Sequence, residues 1–394
     1  MKKNYILVLD IGTSGIKSLI FNEKNEVVSR AYQKIKRFTP RKNWVEQNPD
    51  ELIKTSINTL KTAVTKNNIS LGKILGLAIT NQRETTILWN KRTGKPFYHA
   101  IVWEDKRTKK YCQKLKQKYG DKFVKDKTGL IFDPYFSASK INWILKKSPE
   151  AHQAAQENNL FFGTVDTWIL WNLLEGNPHL TDYTNASRTL LFNIKNLSWD
   201  QDLANIFNVP LDILPTAKSS TFHFGNLQKN ILGEKLPVLA VCGDQQSSLY
   251  AVGHSSGLTK ITYGTGTFLM QVVGEKFRSQ KNFFTTIFPG CAKEKNALYA
   301  IEAKIEGSGS RVDNFLRKKM DLLPLLKKIA KEVDVYVKKL PLKPSKLIID
   351  GGITRDERMG KIQQKISGVA VVEQKVFDGT SLGASLLARN FKKR

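Results

Sequence analysis

One short pattern occurs twice in this chain and constrains its fold more than any other feature. LVLDIGTSGIKSLIF at 7–21 and ITYGTGTFLMQVV at 261–273 are each an apolar run, a Gly/Thr turn and a second apolar run. Each reads as strand, tight turn, strand. One such hairpin is commonplace, but its return in the second half of a 394-residue chain suggests two related lobes facing a cleft. Length points the same way, since a chain of this size exceeds one ordinary core.

The segments between the hairpins fill in the architecture. After the first hairpin the polar NEKNE turn leads to a third strand, which completes an antiparallel meander. NPDELIKTSINTLKTAV at 48–64 opens with Asn48 as a cap, Pro49 at the first helical position and Asp50 and Glu51 in the first turn. Ile53, Ile57, Leu60 and Val64 then repeat at helical spacing, which predicts an amphipathic helix with these four facing the core. ILGLAIT and TTILWN follow as strands, KLPVLAVCGDQQSS is a buried strand ending in an acidic turn, and KLIIDGGITRDERMGKIQQKI is strand, Gly-Gly turn and helix. Alternating strands and helices give an α/β fold. The division expected is a first domain over 1–250 and a second over 251–394.

Composition narrows the function classes. A formal charge of +28 and a pI near 9.8 raise nucleic acid as a partner. Against it, Lys far outnumbers Arg and is spread along the whole chain, whereas phosphate-clamping and base-reading surfaces cluster their charge and favour Arg. A generally basic surface is the simpler reading. Cys112, Cys242 and Cys291 are widely separated, which argues for a reducing, cytoplasmic setting without disulfides. The N-terminal apolar run stops at Asp10, short of a signal peptide, and nothing approaches a membrane span. The five histidines lack ligand spacing, so any metal is expected to be oxygen-bound. A homo-oligomer is left open.

Three motifs carry chemistry. LDIGTS sets Asp10 after an apolar strand, with Thr13 and Ser14 in the turn and Lys17 beyond it. Such turns converge backbone N–H groups on phosphate oxygens, and a strand-end carboxylate can hold Mg²⁺ through oxygen or water. Alone, this turn is more often an ordinary hairpin. The YGTGT turn at 263–267 shifts the balance, because two such turns can clamp one polyphosphate, and Gly351 and Gly352 of IIDGG would allow close approach to a nucleotide. CGDQQ places Asp244 and Gln245 at a strand end, where Asp244 is either a general base or the cap of a following helix.

LDIGTSGIKS, TNQRETTILWNKRTGKPFYHAIVWEDKRT, GLIFDPYFSASKINWIL, GTVDTWILWNL, HLTDYTNASRTLLFNI, CGDQQSSL, ITYGTGTF and DGGITRDERM follow in the order seen in glycerol kinases. The chain thus resembles the FGGY carbohydrate kinases, a branch of the actin-like and hexokinase-like ATPases. The resemblance implies two ribonuclease H-like domains around a cleft, with ATP and Mg²⁺ as cofactors and transfer of the γ-phosphoryl group to glycerol or a similar small polyol. It implies that Arg83 and Glu84 hydrogen-bond adjacent polyol hydroxyls, since a guanidinium donates and a carboxylate accepts. Trp103 and Phe268 match residues packing on the carbon backbone, Tyr135 a hydroxyl-binding Tyr, Asp244 the base and Gln245 its substrate-binding neighbour. Asp10, with Asp244, matches the Mg²⁺-linked acids. Thr13, Ser14 and Lys17 match the first phosphate turn, where Arg is common for Lys17. Thr265, Gly266 and Thr267 match the second turn, and Gly309, Gly352 and Asp356 match nucleotide-contacting positions.

The chain departs from the family pattern in its second half. Only LRKKMDLLPLLKKIAKEVDVYVKKLPLKPSK separates the helix after the second hairpin from the DGG turn, and an aromatic-Gly-Pro-Tyr-Trp signature is absent. The second domain is therefore expected to be truncated. Asp356 stands where Asn is frequent, and Asp313 where Gln is. NLQKNILGEKLPV replaces a Gly-rich regulatory loop, so feedback by a sugar bisphosphate is not expected. Two alternatives remain beside a shortened glycerol kinase: a descendant that keeps the polyol pocket as a binding or regulatory protein, and a kinase for another small polyol or sugar.

Overall fold

Runs of apolar residues without alternation belong in sheets covered on both faces, and the chain builds two of these. The computed structural model describes residues 3–264, 266–293, 296–305, 308–317, 320–374 and 378–391. The first sheet runs in the order Thr221–Asn226, Pro237–Gly243, Ile74–Asn81, Tyr5–Ile11, Gly15–Phe21, Val27–Lys34. Its hairpin and third strand are antiparallel, while Tyr5–Ile11, Ile74–Asn81 and Pro237–Gly243 are mutually parallel. The second sheet runs Phe284–Lys293, Asn296–Ile305, Thr267–Gly274, Thr259–Tyr263, Lys346–Asp350, Ala370–Glu373. Here Thr259–Tyr263, Thr267–Gly274 and Asn296–Ile305 stand side by side and antiparallel, Phe284–Lys293 is added at the edge beyond them, and two parallel strands follow on the far side. The hairpin repeat read from the sequence is thus the visible part of a repeated five-strand topology.

Parallel strands end together, and that alignment makes the site. Asp10 is level with Thr80, Ile11 with Asn81, and Gly243 with Asn81, so Asp10 and Asp244 emerge at the same sheet edge. In the second sheet Thr262 is level with Asp350, which brings the Gly264 turn beside the Gly-Gly turn. Gly351 has φ +106, and a Cβ there would lie 2.3 Å from the Tyr263 carbonyl oxygen. Only glycine fits that crossing. A third core, with Leu88, Ile101, Leu130, Tyr135, Phe136, Ile141 and Phe207, is built from the chain between the first-sheet strands Ile74–Asn81 and Thr221–Asn226, and Trp103 packs against it.

The helix Pro49–Thr65 forms where the cap predicts it, with Asn48 accepting from the Asp50 N–H. Its buried face differs from the expected one. Leu52, Thr55, Ser56, Thr59, Leu60, Ala63 and Val64 are buried, while Ile53 and Ile57 are only half-buried. Hydroxyl pairing explains the rotation: Ser18 of the sheet donates to Thr59 at 2.9 Å, and Ser29 donates to the Ala63 carbonyl at 2.6 Å.

The helix Gly379–Phe391, which the division at 250 places in the second domain, packs on the first sheet. Leu382, Ala384, Leu387 and Ala388 meet Ile6, Val8, Ala78 and Leu239. This amphipathic helix has no apolar face of the second sheet to cover, because that core is already closed by Leu323–Val337 and Arg358–Ser367. At its crossing with the helix Asp244–Tyr250, a Cβ on Gly383 would lie 1.8 Å from the Ser247 carbonyl oxygen. Gly383→Ala should therefore force the two helices apart and lower stability by about 1–3 kcal/mol, read as a lower midpoint in urea denaturation.

Candidate active site

The strand Ile74–Asn81 delivers Arg83 and Glu84 to the cleft, where both are almost fully buried. Buried charges need partners, and these come from three elements. Arg83 forms a two-pronged pair with Glu302 of the second sheet, Nη1 to Oε2 at 2.8 Å and Nη2 to Oε1 at 3.2 Å. Its Nη1 also donates to Gln246 Oε1 at 3.1 Å, and its Nε lies 3.4 Å from Asp244 Oδ1. Arg188 donates from Nε to Glu84 Oε1 at 2.6 Å and from Nη2 to Glu302 Oε1 at 3.0 Å. Charges of alternating sign therefore run from Asp244 through Arg83 and Glu302 to Arg188 and Glu84. Arg188 and Glu302 were not singled out from the sequence. The available signal was a charged residue inside each of two apolar stretches, SRTLLF and YAIEAKI.

The network sets the protonation of its carboxyls. Burial alone would raise the Glu302 carboxyl, but Arg188 and Arg83 outweigh it and hold it at about 2. For Asp244 burial wins. Opposed by Arg83 and helped by Glu84 and Asp10, it pushes that carboxyl up to about 7.

Asp244, Arg83, Glu84, Trp103, Tyr135, Gln245 and Phe268 all line one cavity of about 180 Å³, with Thr13, Thr262, Gly264 and Gly266. Trp103 and Tyr135 meet edge to face at 5.7 Å, and the Trp103 indole donates to Thr13 Oγ1 at 2.9 Å. Lys304 is the cross-strand partner of Phe268, and its ammonium lies 4.4 Å from the Tyr135 ring centre and 4.7 Å from that of Trp103. This cation was also not foreseen.

On the first turn, Asp10 accepts from Ser381 at 2.9 Å and pairs with Lys17 at 3.0 Å, and that pairing raises the Lys17 ammonium. Ser14 is exposed. On the second turn Thr265 lies outside the described residues. Thr267 is buried and shares a hydrogen bond with the Ser308 hydroxyl at 2.9 Å, so its side chain faces the helix Ser308–Arg317 rather than the cavity. Gly309 lies in that helix, as does Asp313, whose side chain is outside the described residues. Gly352 and Asp356 line a second cavity, of about 920 Å³, with Val312, Leu316, Leu322, Leu326 and Ile353. Gly264 lines both cavities. Asp356 is held by Arg358, at 2.9 Å from Nε and 2.7 Å from Nη2, so its carboxylate is already engaged at the rim.

Asp10 and Asp244 stand close enough for Asp10 to raise the Asp244 carboxyl. Carboxylate oxygens at one sheet edge are the donors Mg²⁺ would take, and Asp10 is paired with the Lys17 ammonium at 3.0 Å. Among the described residues no group of three His, Cys, Asp or Glu forms a metal cage, so water and phosphate oxygens would complete the shell.

The repeated sheet topology, with its cavity at the strand ends, defines a two-lobed α/β fold. Residues 5–251 match the N-terminal domain model of the FGGY family of carbohydrate kinases. A glycerol kinase of Halothermothrix orenii is 43% identical over 326 residues, 82% of this chain and 65% of that protein. A glycerol kinase of Mycoplasmoides gallisepticum is 35% identical over 452 aligned residues, covering 98% of this chain and 89% of its own length. That alignment is longer than the 394-residue chain, so the relative carries insertions absent here. The crystal structure of Plasmodium falciparum glycerol kinase with ADP superposes with a TM-score of 0.92 at 29% identity, covering 100% of this chain and 90% of that one. The chain belongs to the FGGY family of carbohydrate kinases. It spans 65% of the length of the Halothermothrix relative.

Glu302→Gln removes a fully buried negative charge that lies 2.8 Å from Arg83 and 3.0 Å from Arg188. Leaving two guanidiniums undercompensated should cost about 3–5 kcal/mol of stability, measured by urea denaturation.

Proposed function

We propose that the protein transfers the γ-phosphoryl group of ATP to glycerol, giving glycerol 3-phosphate. The observation that carries this reading is the convergence of Arg83, Glu84, Trp103, Tyr135, Asp244, Gln245 and Phe268 on one small cavity that adjoins the second Gly/Thr hairpin. A guanidinium and a carboxylate side by side suit vicinal hydroxyls, each of which donates and accepts. Trp103 and Phe268 offer apolar surface to the carbon chain, and the confined volume favours a short polyol over a sugar.

In the reaction, Asp244 takes the proton of a terminal hydroxyl as that oxygen bonds to the γ-phosphorus, and the bond to the β-phosphate oxygen breaks to release ADP. A carboxyl held near 7 is well matched to that task at neutral pH. Arg83 at 3.4 Å from Asp244 orients the carboxylate and favours its charged form. Mg²⁺, held by Asp10 and Asp244 with phosphate oxygens, would neutralise charge on the phosphates. The turns at Thr13 and Gly266 would present backbone N–H groups to the phosphates, and the cavity at Gly352 would take the base and ribose. In this assignment 1–250 supplies the first phosphate turn and most of the acceptor pocket, which Phe268 completes, and 251–394 supplies the other nucleotide-binding turns. ATP as donor implies action in the cytoplasm.

A coupled ADP-release assay with Mg-ATP, with and without glycerol, tests the reading. Turnover should require glycerol and vanish in Asp244→Asn, while Arg83→Ala should raise KM for glycerol at least about tenfold. ADP release indifferent to glycerol would sink the proposal. The base must be ionised, so kcat/KM should climb with pH through about 7 and level off above it. A flat profile between pH 5.5 and 8.5, roughly one and a half units either side, would remove Asp244 from that role.

A further inference from the structure

Glu84 has φ +62, a left-handed conformation that costs a side-chain-bearing residue about 1 kcal/mol or more. Something must hold it there. Three donors converge on its carbonyl oxygen: the hydroxyls of Ser137 at 3.1 Å and Thr86 at 3.2 Å, and the ammonium of Lys140 at 3.3 Å. Lys140 lies in the helix Ser137–Lys147, its side chain is 0% exposed, and the same ammonium donates to the Tyr135 carbonyl at 2.6 Å. One buried cation therefore joins the backbones of two residues that line the acceptor cavity.

We propose that Lys140 is a positioning residue for the acceptor site, which fixes the Glu84 carboxylate and the Tyr135 ring against the polyol by tying their backbone carbonyls together. The inference rests on the acceptor reading given above. A core lysine satisfied by chance would be a costly choice, because an apolar side chain of equal length fills the same space without desolvating a charge. Its two partners are not arbitrary carbonyls, since both belong to cavity walls. Glu84 itself, Asp105, Asp133 and the Cys112 thiol surround the ammonium and favour its charge, against burial that draws it down to about 8. Without Lys140, Glu84 loses the charged one of its three carbonyl partners, and the left-handed turn relaxes toward ordinary backbone. The carboxylate is then carried out of register with Arg188 and with the cavity.

The test compares Lys140→Met, which keeps length and removes the donors, with Ser137→Ala, which removes one donor and leaves the packing. Lys140→Met should raise KM for glycerol at least about tenfold, with kcat reduced less than about threefold and KM for ATP unchanged. Ser137→Ala should shift the glycerol KM in the same direction by less. Crystal structures of both variants should show Glu84 departing from φ near +62, with its carboxylate displaced. A purely structural lysine would lower stability while leaving the glycerol KM in place, and that result, or an unmoved Glu84, overturns the proposal. Should Lys140→Met fail to fold, Lys140→Gln, which removes the charge and keeps a polar head, decides by the same two measures. If the unmodified protein shows no glycerol-dependent turnover, the kinase reading fails by itself, and the Glu84 conformation in the variant crystals still settles the role of Lys140.

Discussion

Two guanidiniums of the first lobe share one carboxylate of the second, and the cleft is organised around that sharing. Arg83 and Arg188 both bind Glu302, and all three are nearly or wholly buried. An ion pair out of reach of water gains little net stability over apolar packing, because desolvation offsets most of the attraction. What it supplies is geometry. Five N–H donors in a planar fork allow Arg83 to meet Glu302 with two of them and still point toward Gln246 and Asp244. The acceptor pocket of one lobe is therefore aligned by a strand of the other.

The same logic explains why a repeated topology suits this site. A meander followed by parallel strands places a tight Gly/Thr turn and the ends of neighbouring strands at one sheet edge, and ligands of α/β sheets collect there. Two copies facing each other present two turns and two sets of strand-end carboxylates to a common space. Asp10 and Asp244 come from the first copy, Gly264, Gly266 and Asp350 from the second. Asp350 has been put to structural use, pairing with the buried Lys260 at 2.6 Å. The symmetry of the sheets is thus broken in their chemistry.

How much of this could be read from the sequence depended on whether the signal was local. The hairpins, the Asn48 cap and the Gly-Gly turn are set by neighbours in the chain, and each formed as expected. The acceptor residues were reached through motif resemblance and do share one cavity. Burial of Ser18, Thr59 and Ser29 was invisible, because Ser18 and Thr59 are 41 residues apart and the carbonyl that satisfies Ser29, on Ala63, is 34 residues away. Glu302 gave no local sign of its role, since its partners lie 114 and 219 positions away. Thr267, a motif position matched to the second phosphate turn, has its hydroxyl turned inward to Ser308, a contact 41 positions away that no local pattern shows.

The helix Gly379–Phe391 crosses back to cover strands that the chain began with, and its Ser381 bonds Asp10 across 371 positions. The consequence falls on synthesis. While the ribosome is still making the second sheet, the first sheet exists without its covering helix, and Ile6, Val8, Ala78 and Leu239 have only water or a chaperone against them. The first lobe cannot close ahead of the second, although its strands are made first. Completion of the Asp10 side of the cleft waits for the helix Gly379–Phe391, so a nascent protein has no finished wall there until that helix has left the ribosome.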